Sequence, residues 1–359
     1  MVMAHHADLA QGGFLGVDAF FVLSGYLITA LLMRERECTG SINLMNFYAR
    51  RALRLLPAVV VLLVSLLVAS RLFGLGDLVL WRQALIVLSY WPNWASAFQL
   101  TNFYLLSHTW SLGIEEQFYL LWPPLLALLL ALGIGRVATL GVVLAGMVSA
   151  SLTRAMLWES SFDWPRLYYG LDTRMDSLLL GCLIGLLAAW GWLPKRRPWL
   201  VVTGAATVPA VASLIALIFW APLPDSEALY QGVEVLACVA VGIVLVALLA
   251  SPLSLVARIL EQPLLVWIGC ISYGLYLWHV PIFRGVLNPV RMTRFGIGGL
   301  PLLFLWFGGT FAVAATSFYL IERPMLRLKE RFRDRVHAGA SGLDVEAPGT
   351  HAANLKGYY

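Results

Sequence analysis

Charge is what this sequence most lacks. Only 13% of its 359 residues are Asp, Glu, Lys or Arg, about half the fraction typical of soluble globular domains, whereas 60% are hydrophobic. A chain so poor in charge does not take water as its main solvent, which excludes a soluble-domain reading. Cysteine is scarce as well. Cys38, Cys182, Cys238 and Cys270 show no short metal-ligand spacing and three of them fall inside apolar runs, so neither a disulfide framework nor a zinc site is expected. The charge surplus is small, 25 Lys and Arg against 20 Asp and Glu, and on such a chain it belongs to cytoplasmic loops rather than to a nucleic-acid face. Residues 1–13 lack the charged-then-apolar layout of a signal peptide, and the chain lacks the paired halves with broken helices that many transporters repeat.

Apolar length is what remains. Nine runs approach the roughly 20 residues a spanning helix needs: 14–33, 55–75, 114–134, 137–157, 175–193, 199–220, 232–250, 264–283 and 296–321. They predict an all-α, polytopic transmembrane helical bundle with about nine visible spans. A shorter run at 78–90 is interrupted by Trp81, Arg82 and Gln83, and suits an interfacial or re-entrant segment. With the loop between Arg34 and Arg54 placed inside, alternation leaves 16 Lys and Arg on that side and eight on the other. The positive-inside rule then predicts an outer amino terminus and an inner carboxyl terminus. Residues 1–327 form the expected membrane-embedded domain, and 328–359, without a periodic apolar pattern, a largely disordered cytoplasmic tail.

Polar groups beside hydrocarbon are costly, so their positions mark candidate sites. Asp18, in the stretch GGFLGVDAFFVLSGYLIT, either caps a helix or faces a wet cavity. His5 and His6, just upstream, are the only groups of that region able to exchange protons near neutral pH, and are either incidental or catalytic. Arg51 and Arg54, three apart in FYARRALRLLP, share a helix face that meets anionic headgroups or holds a phosphate-bearing donor. Glu115, Glu116 and Gln117 stand at a helix mouth in HTWSLGIEEQFYLLWP, where the helix dipole favours negative charge. The density of polar groups there points to a pocket rather than to capping alone. Arg174 and Asp176 pair with each other, anchor their helix, or join Asp18 and Glu116 as substrate-binding groups. His279, within a span, is expected to be a hydrogen-bonded packing residue.

Taken in order, GGFLGVDAFFVLSGYLIT, FYARRALRLLP, HTWSLGIEEQFYLLWP, TRMDSLLLG, ISYGLYLWHVP and IERP resemble acyltransferase family 3, the bacterial integral-membrane O-acyltransferases. The resemblance runs to about residue 327. It implies a helical fold, usually of ten spans, in the inner membrane, which takes an acyl group from acyl-CoA, acetyl-CoA above all, as a co-substrate with no bound cofactor. The acceptor it implies is a hydroxyl of a cell-surface glycan, glycolipid or glycosylated metabolite. It matches His6 to the family's essential histidine, with His5 as the alternative, Arg51 and Arg54 to its Arg-x-x-Arg pair, and Glu115 to the carboxylate of its Glu-Glu-Gln motif.

The family also places an arginine one helix length before that histidine, a position this sequence does not reach, so the first span is expected to be incomplete through a start assigned too late. The hydrolase-like domain that some members add after the last span is expected to be absent. On the chemistry so implied, His6 takes the acceptor proton, Glu115 orients the imidazole, and the arginines dock the CoA phosphates. Acyl transfer through an acyl-histidine is the covalent alternative. A non-catalytic polysaccharide-export partner and a transporter are the rival functions. Acyl chain, acceptor and oligomeric state are left open by the residues alone.

Overall fold

The computed structural model describes residues 1–73, 77–160, 162–193, 197–251 and 255–329. Residues 330–359, most of the expected tail, lie outside the described residues, as do Lys195 and Arg196 of the positive loop. The described chain is helical throughout: α1 (Val2–His6), α2 (Gly16–Thr39), α3 (Leu44–Phe73), α4 (Asp77–Leu88), α5 (Pro92–Ala97), α6 (Trp110–Ala131), α7 (Arg136–Ser160) and α8 (Trp164–Tyr169). Then follow α9 (Leu171–Ala189), α10 (Arg197–Trp220), α11 (Glu234–Ala250), α12 (Leu255–Leu260), α13 (Pro263–Val280), α14 (Pro289–Arg294), α15 (Gly299–Ser317) and α16 (Arg323–Lys329).

Among the described residues seven helical segments are long and apolar enough to cross a membrane: Gln11–Thr39, Leu44–Leu72, Ser107–Ala131, Arg136–Glu159, Leu229–Ala250, Pro263–Val286 and Gly299–Leu328. Two of the nine expected spans fall outside this set. The run at 175–193 belongs to α9, which bears Asp172, Arg174 and Asp176 over its first two turns. The run at 199–220 contributes Gly204–Trp220, one of two shorter apolar helices; the other, Val79–Leu88, is the segment expected to be interfacial.

The sidedness of the helices is that of a protein dissolved in lipid. On α2 the exposed large hydrophobic residues are Phe20, Leu23, Leu27 and Leu31, a stripe at helical spacing, while Asp18, Ser24 and Thr29 are buried. On α3 Val60, Val64, Val68 and Leu72 form the same kind of exposed stripe. Hydrocarbon solvates such a face, and the polar groups, which it would not solvate, turn inward to one another.

Two glycines set the central crossing. A methyl group on Gly181 of α9 would lie 2.0 Å from the Val22 carbonyl oxygen of α2, and one on Gly25 of α2 would lie 1.9 Å from the Leu178 carbonyl oxygen of α9. Small residues thus let the two backbones touch, the usual way membrane helices gain packing without a hydrophobic drive. The helix α2 stops at Gly40, whose φ of 78° few other residues adopt. Just beyond it, Glu35 accepts from the Asn43 amide and from Arg50, each at 2.9 Å, and so fixes the start of α3. Pro123 cannot donate to the Tyr119 carbonyl one turn before it. The Tyr48 hydroxyl of α3 donates to that carbonyl instead, at 3.2 Å.

Candidate active site

Four of the chain's six histidines gather where α1, the turn before α6, and the end of α13 meet. His6 and His279 rings lie 4.9 Å apart between centroids, and His108 stands 5.2 Å from His279 on its other side. His5 packs edge-on to His6 at 5.5 Å and to Phe14 at 5.4 Å. Tyr276, one turn before His279, donates its hydroxyl to the His108 carbonyl at 2.6 Å and lies 2.5 Å from Ser111 Oγ. Arg284 adds a positive charge beside the cluster and donates to Ser107 Oγ at 3.3 Å. Among the described residues the histidines form no set that could hold a metal ion.

The hydrogen bonds assign the tautomers. A carbonyl only accepts, so His279 donates from Nδ1 to the Tyr276 oxygen, 2.7 Å away, and presents a bare Nε2. His6 Nδ1 also donates, its one N–H shared between the Val2 carbonyl at 3.1 Å and His279 Nε2 at 3.2 Å. His6 is left with an unprotonated Nε2, a nitrogen able to accept a proton.

A second polar group lies farther along α6. Glu115 accepts from Ser24 at 2.7 Å and from Tyr119 at 2.5 Å, and the Ser24 and Tyr119 hydroxyls also meet each other. Arg51, coming from α3, ion-pairs with Glu116 at 2.7 Å and Glu115 at 3.5 Å and lies 3.6 Å above the Tyr119 ring. His108, Ser111, Glu115 and Tyr119 are all buried, and their spacing of three, four and four residues puts them on one face. This stripe joins the histidines to Arg51. Gln117 points another way: its amide donates to the Tyr90 carbonyl at 2.6 Å and accepts from Trp94 at 3.0 Å, tying α6 to α5.

The third group is an alternating chain of charges. Asp18 of α2 meets Arg174 of α9 at 2.7 Å; Arg174 meets Glu234 of α11 at 2.6 Å; Glu234 meets Arg154 of α7 at 3.0 Å; and Arg154 pairs with Asp176 of α9. Asp18 and Arg174 are wholly buried. The network pins four helices at the end of the bundle that carries the histidines.

Several expectations change on this geometry. Asp18 caps no helix, since α2 begins at Gly16 without a side-chain cap and Asp18 sits inside its first turn. Arg174 and Asp176 do not pair with each other; one turns to Asp18 and Glu234, the other to Arg154. His6 is oriented by His279 rather than by Glu115, whose side chain is taken by Ser24, Tyr119 and Arg51. Arg51 and Arg54 diverge: Arg51 turns inward to the carboxylates, and Arg54 is exposed. Arg51, expected on the inner side, and Glu115, expected on the outer side, are in contact, because the two helices enter from opposite ends and their polar groups meet within the bundle. His279 is buried and hydrogen-bonded as expected, but its partner is His6.

Four residues escaped the candidate set: His108, Tyr276, Arg154 and Glu234. His108 opens the most polar stretch of the sequence, and that signal was available. Arg154 and Glu234 are isolated charges in apolar runs, and nothing in their local spacing names their partners.

A family model described as an acyltransferase domain matches residues 1–322. The chain is 34% identical over 339 residues to the peptidoglycan O-acetyltransferase OatA of Listeria monocytogenes, covering 90% of this chain and 53% of that protein. A Staphylococcus aureus protein provisionally named an O-acetyltransferase is 35% identical over 330 residues, 87% of this chain and 52% of its own. A Bacillus subtilis protein, YrhL, provisionally named a peptidoglycan O-acetyltransferase, is 32% identical over 339 residues, with 90% and 52% covered. The chain thus spans about half the length of the curated relatives it matches. No solved structure matches it. With nearly all of its helical part inside the matched region, the chain belongs to acyltransferase family 3.

Proposed function

We propose that this multi-pass membrane protein moves an acetyl group from acetyl-CoA to a hydroxyl of a cell-surface glycan, with His6 as the general base. The observation that carries the reading is the relay from the Tyr276 carbonyl through His279 to His6, which leaves Nε2 of His6 free to accept a proton. Loss of the alcohol proton as the oxygen attacks the thioester carbon is the step that an imidazole serves best near neutral pH. His279 fills the place that a carboxylate holds in hydrolase triads: it fixes the ring and its tautomer. The proton taken from the alcohol leaves with the thiolate as free CoA.

The donor enters from the side of Arg54, in the orientation that places the inner loops in the cytoplasm. Exposed Arg54 meets the CoA phosphates, and the acyl arm follows the stripe from Tyr119 through Glu115 and Ser111 to the histidines. Glu115 serves here on the donor side, holding Arg51 in place with Glu116. Asp18, Arg174 and Asp176 act as the frame of the acceptor end. The glycan acceptor is suggested by the names of the relatives, two of which specify peptidoglycan.

The test uses the purified chain in proteoliposomes with acetyl-CoA labelled in its acetyl group and muropeptides from bacterial peptidoglycan. Label that appears on sugar hydroxyls and is released by mild base supports the proposal. Label that appears equally with His6→Ala, or not at all with the unaltered chain, overturns it.

A further inference from the structure

We infer that His108 is a further catalytic residue: its ring N–H receives the carbonyl oxygen of the acyl group as that oxygen becomes an oxyanion. The inference rests on the acyltransfer reading with His6 as base. It starts from an imbalance in hydrogen bonding. His108 is 2% exposed, yet neither Nδ1 nor Nε2 has a partner. The Leu277 carbonyl comes near the ring without reaching hydrogen-bond geometry. Buried polar groups are otherwise almost always paired, because leaving one unpaired forfeits its hydration without replacement.

The residue is nonetheless held firmly. Its carbonyl accepts from the Tyr276 hydroxyl at 2.6 Å, Thr109 Oγ1 closes the same turn on the Leu106 carbonyl at 2.7 Å, and its ring packs at 5.5 Å against Tyr276 and 5.2 Å against His279. A rigid ring with unspent hydrogen-bonding capacity is what a preorganised donor requires, because nothing has to reorganise when charge develops in front of it. The two rings of the relay are already committed, while His5 Nδ1 and Trp278 Nε1 are also unpartnered. His279 uses both nitrogens, and His6 uses Nδ1 and reserves Nε2 for the alcohol proton. Whichever nitrogen of neutral His108 carries the proton, that N–H is free. Neutral histidine acting as an electrophile is a known solution to this task.

The step balances as follows. The alcohol O–H breaks and its proton goes to His6 Nε2; the alcohol oxygen bonds to the thioester carbon; the C=O π pair moves onto oxygen, where the His108 N–H holds it. When the carbonyl re-forms, the C–S bond breaks and His6 returns the proton to sulfur. His108 begins and ends the cycle with the same proton.

The deciding pair is His108→Gln and His108→Met, side chains of similar length and flexibility that differ in having an amide N–H. Both are assayed in the proteoliposome reaction beside the unaltered chain, with thermal unfolding recorded for each. His108→Met is expected to lose about 10²–10³-fold in kcat, with the KM for acetyl-CoA within about threefold. His108→Gln is expected to run at least about tenfold faster than His108→Met, at the same unfolding midpoint. Equal rates for the two variants overturn the inference, because a purely structural histidine gains nothing from an N–H, and so does a His108→Met kcat within about threefold of the unaltered chain. A silent unaltered chain would instead overturn the acyltransfer reading on which this rests.

Discussion

In the network of Asp18, Arg174, Glu234, Arg154 and Asp176 every charge meets one of opposite sign, although Asp18 Oδ2, Arg174 Nε and Glu234 Oε2 make no hydrogen bond, whereas in the histidine cluster neither ring nitrogen of His108 meets a partner. Both regions are polar, buried and built from residues far apart in sequence. The difference lies in what completes them. The network's charges are matched within the protein, so breaking it should disturb the helices that it joins. The histidine cluster is incomplete without something else, so breaking it should disturb chemistry and leave the fold alone.

The largest effect should come from the network. Arg174→Met leaves Asp18 facing the bundle without a cation, and removing one partner of a buried pair typically costs about 3–5 kcal/mol. The expected outcome is a large fall in the unfolding midpoint in detergent and loss of every activity together. Arg174→Met combined with Asp18→Leu removes both charges and should recover more than half of the lost stability. If the single variant unfolds where the unaltered chain does, the network is no frame and the contrast fails.

His6→Ala should do the opposite. Loss of a general base is worth about 10²–10⁴-fold, so kcat for acetyl transfer should fall on the order of 10³-fold while the unfolding midpoint stays put. His279→Ala, which frees the His6 ring to turn, should give a smaller fall in kcat and no change in acetyl-CoA KM. A His6→Ala chain that still transfers at a tenth of the normal rate would remove His6 from the role of base.

How much of this was legible in the sequence follows from what each signal depends on. The long apolar runs and the family strings are local, so the helices appeared near their true places, and His6, Arg51 and Glu115 were singled out by motifs alone. Pairing is not local. Arg174 and Asp176 are two residues apart and were natural partners on paper, but two residues on a helix point some 200° apart, so each found a carboxylate or guanidinium on another helix. The same limit hid Arg154 and Glu234. His279 was read as packing because an apolar span around one histidine offers no sign that another histidine will arrive from residue 6. The run at 175–193 lies in α9, whose three charges near its start keep it outside the set long and apolar enough to cross by composition.

A milder perturbation separates frame from chemistry within one helix. Gly181→Ala places a methyl group 2.0 Å from the Val22 carbonyl and 2.6 Å from the Tyr26 amide nitrogen, so the α2 and α9 backbones must move apart. Overpacking of this kind costs about 1–3 kcal/mol. The unfolding midpoint should drop measurably, and the folded fraction should keep its acetyl-CoA KM, since neither Arg54 nor the α6 stripe lies on α9. A raised KM would mean that the crossing shapes the donor path as well.

The smallest effect belongs to the arginine that makes no ion pair among the described residues, although its charge reaches buried Glu322. Arg51 is held by Glu115, Glu116 and the Tyr119 ring, while Arg54, one turn on, is exposed with no ion pair among the described residues. If the pair docks CoA phosphates, Arg54 supplies the free charge and Arg51 the fixed one. Arg54→Ala should therefore raise the acetyl-CoA KM about tenfold, the worth of one charge-assisted hydrogen bond, and leave kcat and the unfolding midpoint unchanged. Arg51→Ala should lower stability too, by stranding Glu115 and Glu116, and adding Glu115→Gln and Glu116→Gln should restore that stability without restoring the KM. An Arg54→Ala chain with an unchanged KM would place the phosphates elsewhere. Arg51 would then belong, like the charge network, to the frame of the bundle.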